Sequence, residues 1–133
     1  MNVELQKKAE RFCAYQERCK QDVLRKFATL RTPVTEKEKE EILEYLEEEK
    51  FIDENRFAQL YAVSKLRQKQ WGKYKIKAHL RAKNISEENI KDALDTIDEE
   101  EYETIRQKLI QTKGEQVARA HGFSTYETSM TNV

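Results

Sequence analysis

The chain has 133 residues, of which 38% are hydrophobic and 38% charged, and only three are glycine and one proline. That length fits one domain or a short array of small units, and so little Gly and Pro excludes a low-complexity chain. The 25 basic and 25 acidic residues cancel. No apolar run approaches the roughly 20 residues that cross a bilayer, and the N-terminal segment lacks a signal-peptide core. We therefore expect a cytoplasmic protein without membrane contact.

Apolar residues recur at helical spacing along the whole chain, and no segment shows the alternation that is typical of a strand. Leu5, Ala9 and Cys13, for example, lie four residues apart. The pattern predicts an all-α fold. The predicted helices span residues 3–16, 20–30, 36–49, 54–70, 73–83, 87–98, 100–112, 115–120 and 125–131.

Residues that favour helix starts stand at the joints. Thr35, Ser86 and Ser124 each follow an apolar residue and can accept a hydrogen bond from a first-turn amide, and Asp53 can do the same for the fourth helix. All four Gly and Pro residues also fall at joints. These stops and starts indicate short helices that begin and end at defined residues.

The joints repeat, because LRAKNIS (80–86) and ARAHGFS (118–124) align without gaps. We interpret the chain as an elongated array of three tandem three-helix repeats: 1–50, 51–98 and a degenerate or truncated 99–133. A single three-helix unit of this size buries too little surface to be stable, so neighbouring repeats are expected to stack.

Charge is segregated along the chain. Residues 56–83 carry nine Lys or Arg and no acid, whereas 36–54 carry ten acids and 87–101 carry eight. The zero net charge is therefore a cancellation between segments rather than an absence of local field.

The basic segment is the candidate binding face for an anionic partner. Lys73, Lys77 and Arg81 are spaced to share one side of a helix, and Trp71 precedes that helix, where it can stack on a base. Two alternatives remain open: the cations pair with the acidic helices, and Trp71 packs between units. The candidate residues are Lys65, Arg67, Lys69, Trp71, Lys73, Lys75, Lys77, Arg81 and Lys83.

Signs of catalysis are missing. The sequence has no phosphate-binding loop and no dinucleotide-binding glycine motif. Cys13, Cys19, His79 and His121 match no zinc-binding spacing, and a disulfide between the two cysteines is not expected. We expect no catalytic residue, no metal and no cofactor.

The segment 50–94 resembles the RecX family of recombinase regulators. KFIDENRFA matches that family's core motif except that Lys50 stands where the family usually has glycine, and a second motif follows from Gly72. The residues that carry the resemblance are Phe51, Ile52, Asp53, Arg56, Phe57, Ala58, Gly72, Ile76, Leu80, Lys83, Ile85, Ile90, Ala93 and Leu94.

The resemblance implies a curved, all-α array of three-helix repeats that is not an enzyme. It also implies a partner, the filament that RecA forms on single-stranded DNA during recombination, DNA repair and the SOS response. Such a regulator, acting as a monomer, inhibits the recombinase ATPase and strand exchange and can bind single-stranded DNA itself. The rival hypotheses are a general single-stranded nucleic-acid-binding module and a helical scaffold, with an enzyme last.

Overall fold

The computed structural model describes residues 1–124, and over these residues the secondary structure is entirely helical. The all-α prediction is confirmed there. The predicted ninth helix, 125–131, lies outside the described residues. The helices are α1 Val3–Tyr15, α2 Lys20–Ala28, α3 Glu36–Glu48, α4 Glu54–Lys69, α5 Lys73–Ala82, α6 Glu87–Asp95, α7 Glu99–Lys113 and α8 Glu115–Ala120.

The helix starts predicted at Thr35, Asp53 and Ser86 are confirmed, whereas the helix predicted to follow Ser124 lies outside the described residues. Thr35 Oγ1 accepts from the amide of Glu38, whose carboxylate accepts in turn from the Thr35 amide. Asp53 accepts from the amide of Arg56 at 3.0 Å, and Ser86 caps α6 in the same way. Each cap satisfies an amide that has no partner within the helix, which fixes where the helix begins.

Both cysteines are buried free thiols. Cys13 lies on the inward face of α1, and Cys19 is the N-cap of α2, a role that the sequence did not predict. Burial raises the pKa of the Cys13 thiol to about 11, so the reactive thiolate is not populated at neutral pH. These cysteines act as small core residues.

The chain divides into two compact units, the first comprising Met1–Phe57 and the second beginning at Ala58. The first unit buries one apolar face from each of α1, α2 and α3, while the acidic residues of α3 face outward. The buried residues of this core are Leu5, Ala9, Cys13, Val23, Phe27, Ile42, Leu46 and Ile52.

The second unit contains most of α4 and all of α5 to α8. Its buried set includes one charged residue, Arg106, which bonds to Glu103 three residues earlier in α7. The apolar members are Ala58, Ala62, Leu66, Ile76, Leu80, Ile85, Ile90, Ala93, Ile97, Tyr102, Leu109, Ala118 and Phe123. Within residues 1–124, no helix combines the length and apolarity that a membrane span requires.

Lys50 has a left-handed backbone, with φ of 63°. This left-handed region costs a residue with a Cβ roughly 1–2 kcal/mol of steric strain, whereas glycine adopts it freely. We therefore expect Lys50→Gly to raise the free energy of unfolding by about 0.5–1 kcal/mol, once the larger entropy of glycine in the unfolded chain is subtracted. Chemical denaturation measures this change in the free energy of unfolding. Glu44→Gly in the exposed middle of α3 is the control and should lower stability by about 1 kcal/mol; destabilisation by both substitutions would contradict the strain at Lys50.

Candidate functional site

The joint between α4 and α5 carries the candidate site. Gln70 turns the chain with a left-handed φ of 56°, and the Trp71 amide then donates to the Lys65 carbonyl at 3.2 Å. Gly72 follows as the N-cap of α5. This tight turn folds Trp71 back against the last turns of α4.

Trp71 is the centre of a cluster of cations and rings, called here the Trp71 cluster: Tyr61, Lys65, Trp71, Lys75 and His79. The ammonium groups of Lys65 and Lys75 lie 5.3 and 4.9 Å from the indole centroid. The His79 ring packs at 4.3 Å and the Tyr61 ring at 6.4 Å. The indole face attracts both ammonium groups through its quadrupole, so the ring gathers positive charge at one point.

His79 adds a ring rather than a charge to this cluster. Desolvation of its imidazole, and then the ammonium groups of Lys75, Lys65 and Lys83, lower the pKa of His79 below its ordinary value. At neutral pH the ring is therefore neutral, and it can pack on Trp71 without electrostatic repulsion from the neighbouring lysines.

Three of the predicted binding cations are instead paired with carboxylates. Arg67 makes two hydrogen bonds to Glu101, at 2.7 and 3.0 Å. Arg81 likewise makes two hydrogen bonds to the carboxylate of Glu87, at 2.6 and 3.0 Å. The alternative in which cations pair with acidic helices therefore applies to these two residues.

The third is Lys73, whose Nζ lies 2.8 Å from Glu99. The sequence prediction of one continuous open face through Lys73, Lys77 and Arg81 is wrong in this respect, because acids from α6 and α7 reach two of its three members. Ion pairs near the surface contribute little to stability and are screened by salt.

These pairs also affect titration. The hydrogen bond from Arg81 holds the pKa of Glu87 below its ordinary value, and the hydrogen bond from Arg67 does the same for Glu101. A carboxyl with a lowered pKa in the folded state contributes stability above its unfolded pKa and loses it as the pH falls through the folded value. Both pairs are therefore fully formed at neutral pH.

The remaining candidates differ in exposure. Lys69 is exposed, whereas Lys77 and Lys83 are half-buried. Lys65, Lys69 and Lys75 form no ion pair with any residue between 1 and 124. Two of these lysines, Lys65 and Lys75, lie against the Trp71 ring, whereas the arginines on either side are paired with carboxylates. Tyr61 and His79 were not among the predicted binding residues, although Trp71, Lys75 and His79 share a spacing of four residues.

The segment after α8 contacts the start of α5. The Gly72 amide donates to the His121 carbonyl at 2.7 Å, and the Tyr74 amide donates to the Gly122 carbonyl at 3.2 Å. His121 Nδ1 lies 3.0 Å from the Gln70 carbonyl, and because a carbonyl only accepts, this nitrogen carries the proton. The loop thus satisfies first-turn amides of α5 that no helical carbonyl can reach.

Helix α7 supplies the remaining contact. The Tyr102 hydroxyl accepts from the Lys73 amide at 3.0 Å, and the Tyr102 ring packs on Phe123 at 5.1 Å. The first three amides of the α5 start are therefore held by residues of α7 and of the segment after α8. This arrangement fixes the direction in which Trp71 and Lys75 project.

The residues that carry the sequence resemblance are structural. Ile52, Phe57 and Ala58 are buried. Arg56 bonds to Glu17 at 2.6 Å and to the Lys50 carbonyl at 3.2 Å. Farther along, Gly72, Ile76, Leu80 and Ile85 are buried as well. Across residues 1–124, no three His, Cys, Asp or Glu side chains are grouped to hold a metal ion.

The comparisons with known proteins agree with this architecture. The family model for the second three-helix domain of RecX matches residues 53–94, which contain α4, α5 and α6. A crystal structure of regulatory protein RecX is 27% identical, with 96% of this chain and 73% of that chain covered and a TM-score of 0.79. The structure of RecX from Lactobacillus salivarius shares the fold at 23% identity, covering 92% and 88% of the two chains with a TM-score of 0.75. No curated protein matches the chain.

The fold defines the class as a helical-repeat protein. Residues 53–94 match the second three-helix domain of RecX, and over nearly the whole chain the fold is similar to that of regulatory protein RecX.

Proposed function

We propose that this protein binds the filament that RecA forms on single-stranded DNA and inhibits the ATPase and strand-exchange activities of that filament. The match of residues 53–94 to a RecX domain, and the similarity in fold to regulatory protein RecX, support the regulatory role. The single observation that carries the proposal is the Trp71 cluster, in which lysines without carboxylate partners surround an aromatic centre inside the segment matched to RecX.

The physical argument concerns charge that is available to a partner. Arg67 and Arg81 must give up a carboxylate before they bind a second anion, whereas Lys65 and Lys75 need not. A nucleoprotein filament presents phosphates and protein carboxylates along its length, so such a point of positive charge both steers docking and fixes orientation. The proposed regulator acts without catalysis, in the cytoplasm, as a monomer built from repeats 1–50, 51–98 and 99–133.

The test is the ATPase rate of RecA on single-stranded DNA at rising concentrations of this protein. The wild-type protein should lower the rate. The double variant Lys65→Glu, Lys75→Glu should need about tenfold more protein for the same inhibition, equivalent to about 1.4 kcal/mol of lost binding. Its melting temperature should change little, because Lys65 and Lys75 are only half-buried and a cation–π contact near the surface contributes about 0.5–1 kcal/mol.

The matched control is Lys91→Glu, Lys108→Glu, which makes the same change in charge at two exposed helical lysines of the same unit. It should inhibit like the wild type. Equal loss in both double variants would show a general charge effect and reject the site, and a wild-type protein without effect on the ATPase would reject the function.

The second candidate function is a general module for single-stranded nucleic acid, favoured by the same mixture of rings and cations. The salt dependence separates the two. Binding to free nucleic acid weakens steeply with salt, in proportion to the phosphates neutralised, whereas inhibition through the filament requires the recombinase and follows salt less steeply.

A further inference from the structure

The first unit contains a surface depression of about 380 Å³ between α1 and α2. Phe12 and Leu30 supply its apolar lining, and Lys8, Arg11 and Lys26 supply its charged lining. Among the residues that the structure describes, no acidic side chain lines it. Small-molecule sites have volumes of roughly 300–1,000 Å³ and combine apolar walls with a few polar groups, so this depression has the size and the chemistry of such a site.

The positive charge at this depression is available to a ligand. Arg11 and Lys26 are exposed and have no carboxylate partner within residues 1–124. Lys8 contributes less, because its ammonium lies 3.9 Å from the carboxylate of Glu4. An anion that enters here therefore displaces no ion pair at Arg11 or Lys26, and it is attracted before it makes contact.

Arg18 fixes the orientation of the Phe12 ring. Its guanidinium carbon lies 3.8 Å from the Phe12 centroid, and its Nε donates to the Phe12 carbonyl at 3.1 Å. The Lys26 ammonium lies 5.8 Å from the same centroid. The quadrupole of the ring attracts a cation at these distances. Contacts within the first unit thus hold the Phe12 ring in place, so the apolar lining is formed before a ligand arrives.

The second unit shows what fits at the equivalent place. Cys19 and Gly72, the N-caps of α2 and α5, lie 53 residues apart. The buried residues on either side follow the same offset: Leu5 with Ala58, Ala9 with Ala62, Cys13 with Leu66, Val23 with Ile76, and Phe27 with Leu80. At this offset the residues of the depression that surround its ring correspond to members of the Trp71 cluster: Lys8 to Tyr61, Phe12 to Lys65, and Lys26 to His79.

The residue that differs most between the two places is Trp71, because its equivalent in the first unit is Arg18, which carries no ring. In the second unit the indole lies among these equivalent residues, 4.3 Å from the His79 ring and 6.4 Å from the Tyr61 ring. The first unit has the depression instead. A planar double ring of a ligand can therefore occupy the position that the indole has in the second unit, and a purine base is a ring of that size.

We propose that the depression between α1 and α2 binds a free nucleoside triphosphate. The purine base lies against Phe12 and Leu30, and the triphosphate contacts Arg11 and Lys26. A polynucleotide strand carries one phosphate charge per base, whereas a nucleoside triphosphate carries several beside a single base, which suits cations that are grouped at one depression. The site belongs to the first unit, whereas the Trp71 cluster belongs to the second, so it does not rest on the proposed function and its test needs neither a recombinase nor a nucleic acid.

The first measurement is isothermal titration calorimetry of the full chain with adenosine 5′-triphosphate, at low salt and without Mg²⁺. One ligand should bind per chain. Its affinity should exceed that of adenosine and that of inorganic triphosphate by about tenfold or more, because each of these keeps only part of the contacts. Equal affinity for inorganic triphosphate would show binding by charge alone and overturn the site for the base. Absence of binding of adenosine 5′-triphosphate to the wild-type protein would overturn the whole proposal.

The second measurement tests the cations. Arg11→Glu, Lys26→Glu should weaken the binding of adenosine 5′-triphosphate by about tenfold or more. Both side chains are exposed, so the variant should keep its fold. The control Lys37→Glu, Lys108→Glu makes the same change in charge at exposed lysines outside the depression and should bind within about twofold of the wild type. Equal losses in the two double variants would reject the depression as the site.

The third measurement fills the depression. Arg18→Trp copies the second unit, so its indole should occupy the position of the base and weaken binding by about tenfold or more. Arg18→Ala removes the same charge without adding a ring and should bind within about threefold of the wild type. Circular dichroism checks that both variants are folded, and if Arg18→Trp is not, the exposed pair Arg11→Glu, Lys26→Glu decides the outcome. A folded Arg18→Trp protein that binds like the wild type, or equal losses in both Arg18 variants, would overturn the position proposed for the base.

Discussion

Replacing Phe57 by alanine is expected to lower the free energy of unfolding by about 3–5 kcal/mol. Phe57 is only 6% exposed and is the fourth residue of α4, which begins at Glu54. Truncation removes the transfer free energy of the ring and leaves a cavity that the surrounding side chains fill only in part. Urea denaturation followed by circular dichroism measures the loss directly.

Asp53→Ala is the comparison within the same turn. It removes the 3.0 Å hydrogen bond to the Arg56 amide and one negative charge at the positive end of α4, at a cost of about 1 kcal/mol. The order of the two effects tests which face of α4 is buried. If Asp53→Ala proves the more damaging substitution, the assignment of Phe57 to the core is wrong.

Features that depend on a few neighbouring residues could be predicted from sequence. Thr35, Asp53 and Ser86 each cap a helix through an amide three residues ahead, so the spacing alone defines the interaction. The inward faces of the helices follow from a period of 3.6 residues in the same way. Such local rules account for the helix order, most of the core and most helix boundaries to within a few residues.

Features that depend on long-range packing could not be predicted. Arg106 lies between Tyr102 and Leu109 on the inward face of α7. From sequence, an arginine ordinarily predicts a position exposed to solvent. Arg106 is buried because Glu103, one turn earlier, accepts its hydrogen bonds. Arg67 and Glu101 pair across 34 residues of sequence, and no sequence pattern predicts which carboxylate pairs with which arginine.

The division of the basic segment follows the chemistry of its cations. Arg67 and Arg81 bind carboxylates with two hydrogen bonds each, which suits the planar guanidinium fork. Lys65 and Lys75 are point charges and lie near the indole of Trp71 instead. Among these four residues the arginines are the paired ones and the lysines the available ones, although Lys73 shows that a lysine of the same segment can also be paired, with Glu99 at 2.8 Å.

The close approach of Gly72 and Gly122 determines how the Trp71 cluster is presented. A Cβ on Gly72 would lie 2.5 Å from the Gly122 carbonyl carbon and 2.6 Å from the Phe123 nitrogen, both of them backbone atoms. Gly72 has an ordinary φ of −81°, so glycine is needed there for space and not for backbone conformation. Gly114 is the opposite case, since its φ is 92° and a Cβ at that position would have no neighbour within 4 Å.

Gly72→Ala is therefore expected to separate the start of α5 from the segment after α8. Overpacking costs about 1–3 kcal/mol and each lost hydrogen bond about 1 kcal/mol, so the free energy of unfolding should fall by about 2–4 kcal/mol. Trp71 is the single tryptophan and follows this joint, so its fluorescence emission should shift in the folded protein. Gly114→Ala is the control: backbone strain of about 1–3 kcal/mol lowers its stability, but the emission stays as in the wild type. A Gly72→Ala protein with unchanged melting temperature and unchanged emission would show that the His121–Gly122 contact does not hold the Trp71 cluster in place.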